Sequence, residues 1–260
     1  MFQLLELDKT QFSKTNFSRV LTDLSQNKIG ALVVRGFWSE VDCSHAVSSC
    51  HEQGFDYYEG VTPPIAKIGI TQFEHGTKSS GKEEYFTKAH IANTKRQQIF
   101  GQSDPITQLI QICNESDIQA EITKEGNEQY FAGLVRNMRE ALLHLDFGQL
   151  DGKGWSIEHV TAQFAWNIVL QSTAFGGVTT VFNKQWKPSL QQYKSTTNYD
   201  YDLALVQGVD SVSYQGQTGD LTIFNSRNFH KVSATSNKAM RLTVSSFFGF
   251  VKDNNVIFWS

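Results

Sequence analysis

Residues 219–260 read GDLTIFNSRNFHKVSATSNKAMRLTVSSFFGFVKDNNVIFWS. Four runs rich in β-branched and aromatic residues stand out, 221–225, 228–234, 240–251 and 255–259. Gly219-Asp220 precedes the first and Asn254-Asn255 the last. Short apolar runs punctuated this way read as strands. The texture extends back to about Gln129, through 129–136, 139–146, 161–170, 177–183 and 203–207, with Asp151-Gly152 and Gly176-Gly177 as further breaks. So many short strands predict a sandwich, jelly roll or barrel.

The first 128 residues read differently. Phe17, Val20, Leu21 and Leu24 recur at a helical spacing within 12–26, and 29–37 (IGALVVRGF) is a short buried strand closed by Gly36. Ser39 is placed to cap a helix through Cys50, and Asp104-Pro105 opens another with Ile106, Leu109, Ile110 and Cys113 on one stripe. The fold expected is mainly β with N-terminal helices. It is one domain over 1–260, with 1–128 as a helical cover with flanking strands and 129–260 as a jelly-roll core.

Composition narrows the function. Hydrophobic residues make up 40% and charged residues 19%, enough for a sizeable core and too apolar for long disorder. A net charge of −3 argues against a broad nucleic-acid or anionic-membrane surface. No run approaches the roughly 18 apolar residues of a membrane span, and the first residues lack the basic start of a signal peptide. Cys43, Cys50 and Cys113 form no metal-binding or redox pair. Sparse, odd-numbered cysteines fit buried thiols in a reducing compartment, so a cytoplasmic protein is expected.

Two fragments carry chemistry. His144 and Asp146 are two apart, so on a strand both side chains point to one face. His230 adds a second imidazole and Arg241 a guanidinium. Two histidines and one carboxylate on one face of an ion make the donor set of non-haem Fe(II) sites. If 228–234 and 239–248 form a hairpin around 235–238, His230 faces Thr243 while Arg241 lies diagonally about 8 Å away. A five-carbon dicarboxylate spans that gap, with its 2-oxo acid on the metal and its far carboxylate on Arg241 and the Thr243 hydroxyl. In 162–170, Gln163 and Asn167 share the face opposite Phe164, Trp166 and Ile168. They are candidates to hold the cosubstrate's carboxylates or a bridging water; a solvated polar stripe is the alternative.

Together, His144-Leu145-Asp146, His230 and Arg241-Leu242-Thr243 resemble the HxD…H…RxS/T pattern of the Fe(II)/2-oxoglutarate-dependent oxygenases. The resemblance implies a double-stranded β-helix (jelly roll, cupin-like). It also implies Fe(II) on His144, Asp146 and His230, 2-oxoglutarate as cosubstrate, and O2. GDLTIFN, FHKVS, MRLTVSSFFGF and the final IFWS are similar to the halogenase branch that acts on hapalindole- and welwitindolinone-type alkaloids. Gly176-Gly177, Val181-Phe182-Asn183, Trp186 and the N-terminal VVRGF add to that likeness. In that branch a small residue replaces the carboxylate ligand and leaves room for chloride. Asp146 fills the position here, so the resemblance implies hydroxylation or another oxidation of a small-molecule metabolite. An N-substituted amino-acid hydroxylase of the same superfamily is an equal model for the substrate.

Two rival readings come from other classes. A jelly roll can hold a metal and do no chemistry. Gly76–Lys82 (GTKSSGK) also matches the GxxxxGK of a phosphate-binding loop, although Glu83 stands where Ser or Thr would hold magnesium. The glycine- and serine-rich 75–82 segment is alternatively a lid or a plain surface loop. Phe55, Tyr57, Tyr58, Phe73 and Phe86 are candidates for a substrate pocket or for core packing.

Overall fold

The computed structural model describes residues 2–76, 81–236, 240–252 and 254–260. Its central strand, Ala162–Gln171, runs antiparallel between Leu221–Asn225 and Leu242–Phe250. Alternation decides what it does. Phe164, Trp166 and Ile168 turn into a core shared with Leu221, Ile223, Val244 and Phe248, while Gln163, Ala165 and Asn167 line a cavity on the other face.

Beyond Leu221–Asn225 the sheet continues through Ile29–Arg35, antiparallel, and Gln3–Asp8, parallel to that. On the other side Leu134–Asn137, Ala66–Ile68 and Asp56–Tyr57 follow Leu242–Phe250. The far half of Leu242–Phe250 pairs with Asn255–Trp259, which takes Gln119–Ile122 in parallel. Residues before 129 thus supply strands as well as helices to this sheet. The helices Phe17–Ser25, Glu40–Gln53 and Pro105–Glu115 pack their apolar stripes into the same core. Their N-caps include the two expected ones: Ser39 accepts from the Asp42 N–H, and Asp104 accepts from the Ile106 N–H ahead of Pro105.

A second sheet has the order Ser211–Gln215, Val178–Gln185, Asn228–Val232, Ala141–His144, all antiparallel. From residue 134 onward the chain crosses repeatedly between the two sheets, staying within the second only for the pair 178–185 and 211–215. This is a double-stranded β-helix, as expected. No described helix is long and apolar enough to cross a membrane.

Several expectations are corrected. The hairpin of 228–234 with 239–248 does not form. Asn228–Val232 pairs with Val178–Gln185 and Ala141–His144, whereas Leu242–Phe250 lies in the other sheet. Both strands have their edges taken by other partners, which overrides the turn chemistry of 235–238; residues 237–239 lie outside the described set. The expected strand 203–207 is a 3-10 turn, Leu203–Val206, capped by the Asp202 side chain on the Ala204 N–H. The strand at that level is Ser211–Gln215, whose Val212 and Tyr214 alternate inward. The strand expected over 139–146 ends at His144.

Gly176 and Gly177 show how tightly the crossing at one end is drawn. Both have positive φ, 75° and 67°. A Cβ on Gly176 would collide with the Ala234 carbonyl, and one on Gly177 would sit 3.0 Å from Arg241 Cδ. Gly208 also has positive φ, 72°, but faces open space. Urea unfolding should therefore separate the two. Gly208→Ala should cost about 1 kcal/mol, the conformational term alone, and Gly176→Ala at least about 2 kcal/mol because backbone must also move. Equal losses would refute the close-approach argument.

Candidate metal centre

His230 and His144 face each other as direct partners across two antiparallel strands. Their rings lie 4.2 Å apart between centroids. Each Nδ1 bonds a backbone carbonyl, His144 to Leu142 at 2.7 Å and His230 to Asn228 at 2.9 Å. A carbonyl only accepts, so each Nδ1 carries the hydrogen and each Nε2 offers a lone pair.

Asp146 lies just past the strand. Its N–H donates to the Ser226 carbonyl, and the Ser226 hydroxyl donates back to the Asp146 carbonyl. Asp146 Oδ2 stands 3.4 Å from His230 Nε2 and 3.9 Å from His144 Nε2. One donor atom from each of the three lies within 4.8 Å of the others. Among the described residues this trio is the one cluster of histidine, cysteine and acidic side chains close enough to share a cation. The side chains of His144 and Asp146 are 20% and 32% exposed, and both line the cavity.

Electrostatics set the donors in the state a divalent cation needs. Burial, then the neighbouring His230, pushes the His144 pKa down to about 4. Burial works to raise Asp146, but the neighbouring His230 and His144 imidazoles and the Arg136 guanidinium outweigh it and hold the carboxyl below its ordinary value. Neutral His144 and ionised Asp146 at neutral pH, with the His230 Nε2 lone pair turned inward, suit Fe(II).

The cavity is about 480 Å³. Arg241 lines it and is 7% exposed, and its guanidinium makes no hydrogen bond or ion pair among the described residues. The hydroxyls of Thr179 and Thr222 line the cavity with it. Tyr214 lies within electrostatic reach of Arg241, and its hydroxyl is pushed up to about 12 by burial. A buried guanidinium without a counter-charge, among hydroxyls, fits the far carboxylate of a dicarboxylate.

The remaining site candidates fall as follows. Asn167 lines the cavity, between Thr222 and Ser245 on the neighbouring strands. Gln163 also lines it, but its Oε1 accepts the Gly148 N–H at 2.6 Å, which anchors the chain just after Asp146. Thr243 is fully buried opposite Val169 and Arg136 and is not part of the lining. Tyr58 and Phe73 line the cavity as a stacked pair with centroids 5.6 Å apart, whereas Phe55 and Phe86 pack in the core and Tyr57 is exposed. Lys82 of the glycine-rich segment is held by Glu125 at 2.6 Å, and 77–80 lie outside the described residues.

Sequence reasoning missed Tyr199. Its hydroxyl accepts the Leu142 N–H at 2.9 Å, and its ring meets the His144 ring edge-on at 5.5 Å. The next contact along, Tyr201 N–H to the Leu143 carbonyl, completes the cover on that strand's free edge. Thr222 was legible in principle: in LTIF it alternates with two core residues.

The sequence profile of the carrier-protein-independent halogenase WelO5 family matches residues 1–260. Leucinostatins biosynthesis cluster protein S of Purpureocillium lilacinum is 34% identical over 222 residues, covering 79% of this chain and 90% of that protein. L-isoleucine 3(1)-dioxygenase of Pantoea ananatis is 28% identical over 123 residues, covering 46% of this chain and 40% of that protein. In fold, the chain is similar to an N-substituted L-amino acid dioxygenase from Burkholderia ambifaria. The TM-score is 0.64 at 14% identity, covering 94% of this chain and 91% of that one. With the full-length profile match and the ligand trio in place, the chain belongs to the WelO5 family of Fe(II)/2-oxoglutarate-dependent oxygenases.

Proposed function

We propose that this enzyme hydroxylates an unactivated C–H bond of a small-molecule metabolite, with Fe(II) held by His144, Asp146 and His230 and 2-oxoglutarate anchored by Arg241. The observation that carries the reading is Asp146 Oδ2 facing both imidazole Nε2 atoms. A carboxylate there occupies the position that a halide needs in a halogenating site, which favours hydroxylation within a family profiled on a halogenase. Bound iron and cosubstrate supply the oxidising power, with O2 consumed and succinate and CO2 released.

The chain's own residues do the rest. The Leu142 and Asn228 carbonyls fix which imidazole nitrogen points inward. The Ser226 exchange and the Gln163–Gly148 bond hold Asp146 where no strand does. Arg241 and the threonine hydroxyls orient the cosubstrate's far end. Tyr58, Phe73 and Phe247 surround the chamber with apolar surface and limit water. Three buried thiols, pushed up to about 11 or 12 by burial, fit a cytoplasmic enzyme. A binding module without chemistry is the competing view, and succinate release in the presence of Fe(II), 2-oxoglutarate and O2 would decide against it.

Anaerobic addition of Fe(II) and 2-oxoglutarate should give the visible charge-transfer band of the chelate. Asp146→Ala and His230→Ala should abolish most of it. Arg241→Ala should retain the band but raise the cosubstrate Kd by about tenfold to a hundredfold; an unchanged Kd would remove Arg241 from this role. Asp146→Gly should weaken the band in the same way, and added chloride should restore part of it, with wild type insensitive. No response in the variant would mean that the vacated position does not accept halide.

The metal-free protein should also show a defined pH dependence. Unfolded histidine titrates near 6.5 and folded His144 at about 4, so between these values the unfolded chain takes up a proton that the folded one refuses. Stability should rise with pH through that window and level off above it. Thermal unfolding in chelator from about pH 4.5 to about pH 7.5 reads the slope, which His144→Gln should reduce; an undiminished slope would assign it elsewhere.

A further inference from the structure

The cavity holds two guanidiniums, and a dicarboxylate cosubstrate needs only one of them at its far end. Arg136, on Leu134–Asn137, lines the same chamber as Arg241. Its Nε donates to the Tyr58 hydroxyl at 3.2 Å and one Nη to the Ser245 hydroxyl at 2.7 Å. Both partners are neutral. Among the described residues no carboxylate lies within ion-pair distance of it.

The two acids that influence it are committed elsewhere. Asp146 faces the imidazoles. Glu74 receives Lys67 Nζ through both oxygens, at 2.7 and 2.6 Å, and the Thr71 hydroxyl at 2.6 Å. Burial opposes the charge on Arg136, but the Tyr58 contact and the fields of Asp146 and Glu74 outweigh it and hold its pKa above the ordinary value. Half-buried in the cavity lining, with donors left over and no ion-pair partner among the described residues, this cation is placed to take an anion from a bound molecule.

We infer that Arg136 is a substrate-anchoring residue: with the Tyr58 and Ser245 hydroxyls beside it, it binds a carboxylate on the molecule to be oxidised. The inference rests on the cavity being the reaction chamber and on Arg241 being the cosubstrate clamp. The guanidinium fork matches a planar carboxylate in two parallel hydrogen bonds. A single cation with acidic neighbours suits a monoanion better than a phosphate dianion. Val61, Ile65, Phe73, Met138 and Phe247 line the same chamber, so the substrate class is an apolar body carrying one carboxylate. Arg136 also lies within the electrostatic reach of His144 and Asp146, which puts an anion held there close to the metal ligands.

The test uses the whole protein loaded with Fe(II) and saturating 2-oxoglutarate under anaerobic conditions, so that Arg241 is already occupied. The probes are N-acetyl-L-leucine and 3-phenylpropanoate, each paired with its primary amide, titrated by calorimetry. In wild type at least one acid should bind about tenfold or more tightly than its amide, the effect expected for one charge-assisted hydrogen bond. Arg136→Gln should erase that preference, and Arg136→Lys, which keeps the charge but loses the fork, should retain part of it. The 2-oxoglutarate Kd of both variants, read from the charge-transfer band, should stay within about twofold of wild type; this also shows that they fold. Equal binding of acids and amides, no binding of either acid, or a preference surviving in Arg136→Gln overturns the proposal. So does a cosubstrate affinity that falls in both variants as expected for Arg241→Ala, since Arg136 would then be the clamp. A wild-type protein that gives no band fails one level lower, at the reading of the cavity itself.

Discussion

The register that sets His230 opposite His144 is the constraint on which the rest of the site depends. Side chains on adjacent antiparallel strands share a face only when their positions agree, and a slip of one residue would turn one imidazole out of the chamber. The register is held from both sides. Val178–Gln185 pairs with the outer edge of Asn228–Val232, and Phe229, on the face opposite His230, is fully buried with Leu143, Phe182 and Tyr201. The hydrophobic surface behind the two strands therefore fixes the polar geometry in front of them.

The larger sheet supplies what the smaller one lacks. Its strands alternate between a thick apolar core under the helices and the polar lining of the cavity. Arg136, Arg241, Asn167 and Thr222 all come from this sheet or its margin, facing a metal trio on or beside the other. Cationic and hydroxyl-bearing groups are thus gathered on one wall and metal donors on the opposite one. In the proposed reading, a molecule bound between them would be oriented by charge at one end and by coordination at the other.

Much of this was legible in the residues. The spacing of His144 and Asp146, with His230 downstream, pointed to the trio that the fold brings together, and the parity of 162–170 separated a core face from a cavity face. What failed was pairing. A turn-like TSNK between two strand-forming runs reads locally as a hairpin, yet the strands belong to different sheets because each finds better partners far along the chain. Local sequence encodes strand propensity but not which strand lies next to which. The same limit hid Arg136: an arginine in LVRN looks like any half-exposed strand residue until Tyr58, 78 positions away, is seen against it. Ser211–Gln215 was missed for a simpler reason, since five alternating residues after a turn carry little signal beside the apolar LALV.

The strand that carries His144 has one neighbour within its sheet, and its outer edge is covered by Tyr199 and Tyr201 instead of another strand. Holding the ion would therefore be coupled to the opening of the 186–210 connection that carries both tyrosines. Such loops come away from a fold far more often than whole domains unravel. Escape of the ion through this edge would accordingly track the loop's local excursions, and bulk denaturation temperature would be a poor guide to how long the protein stays charged with iron.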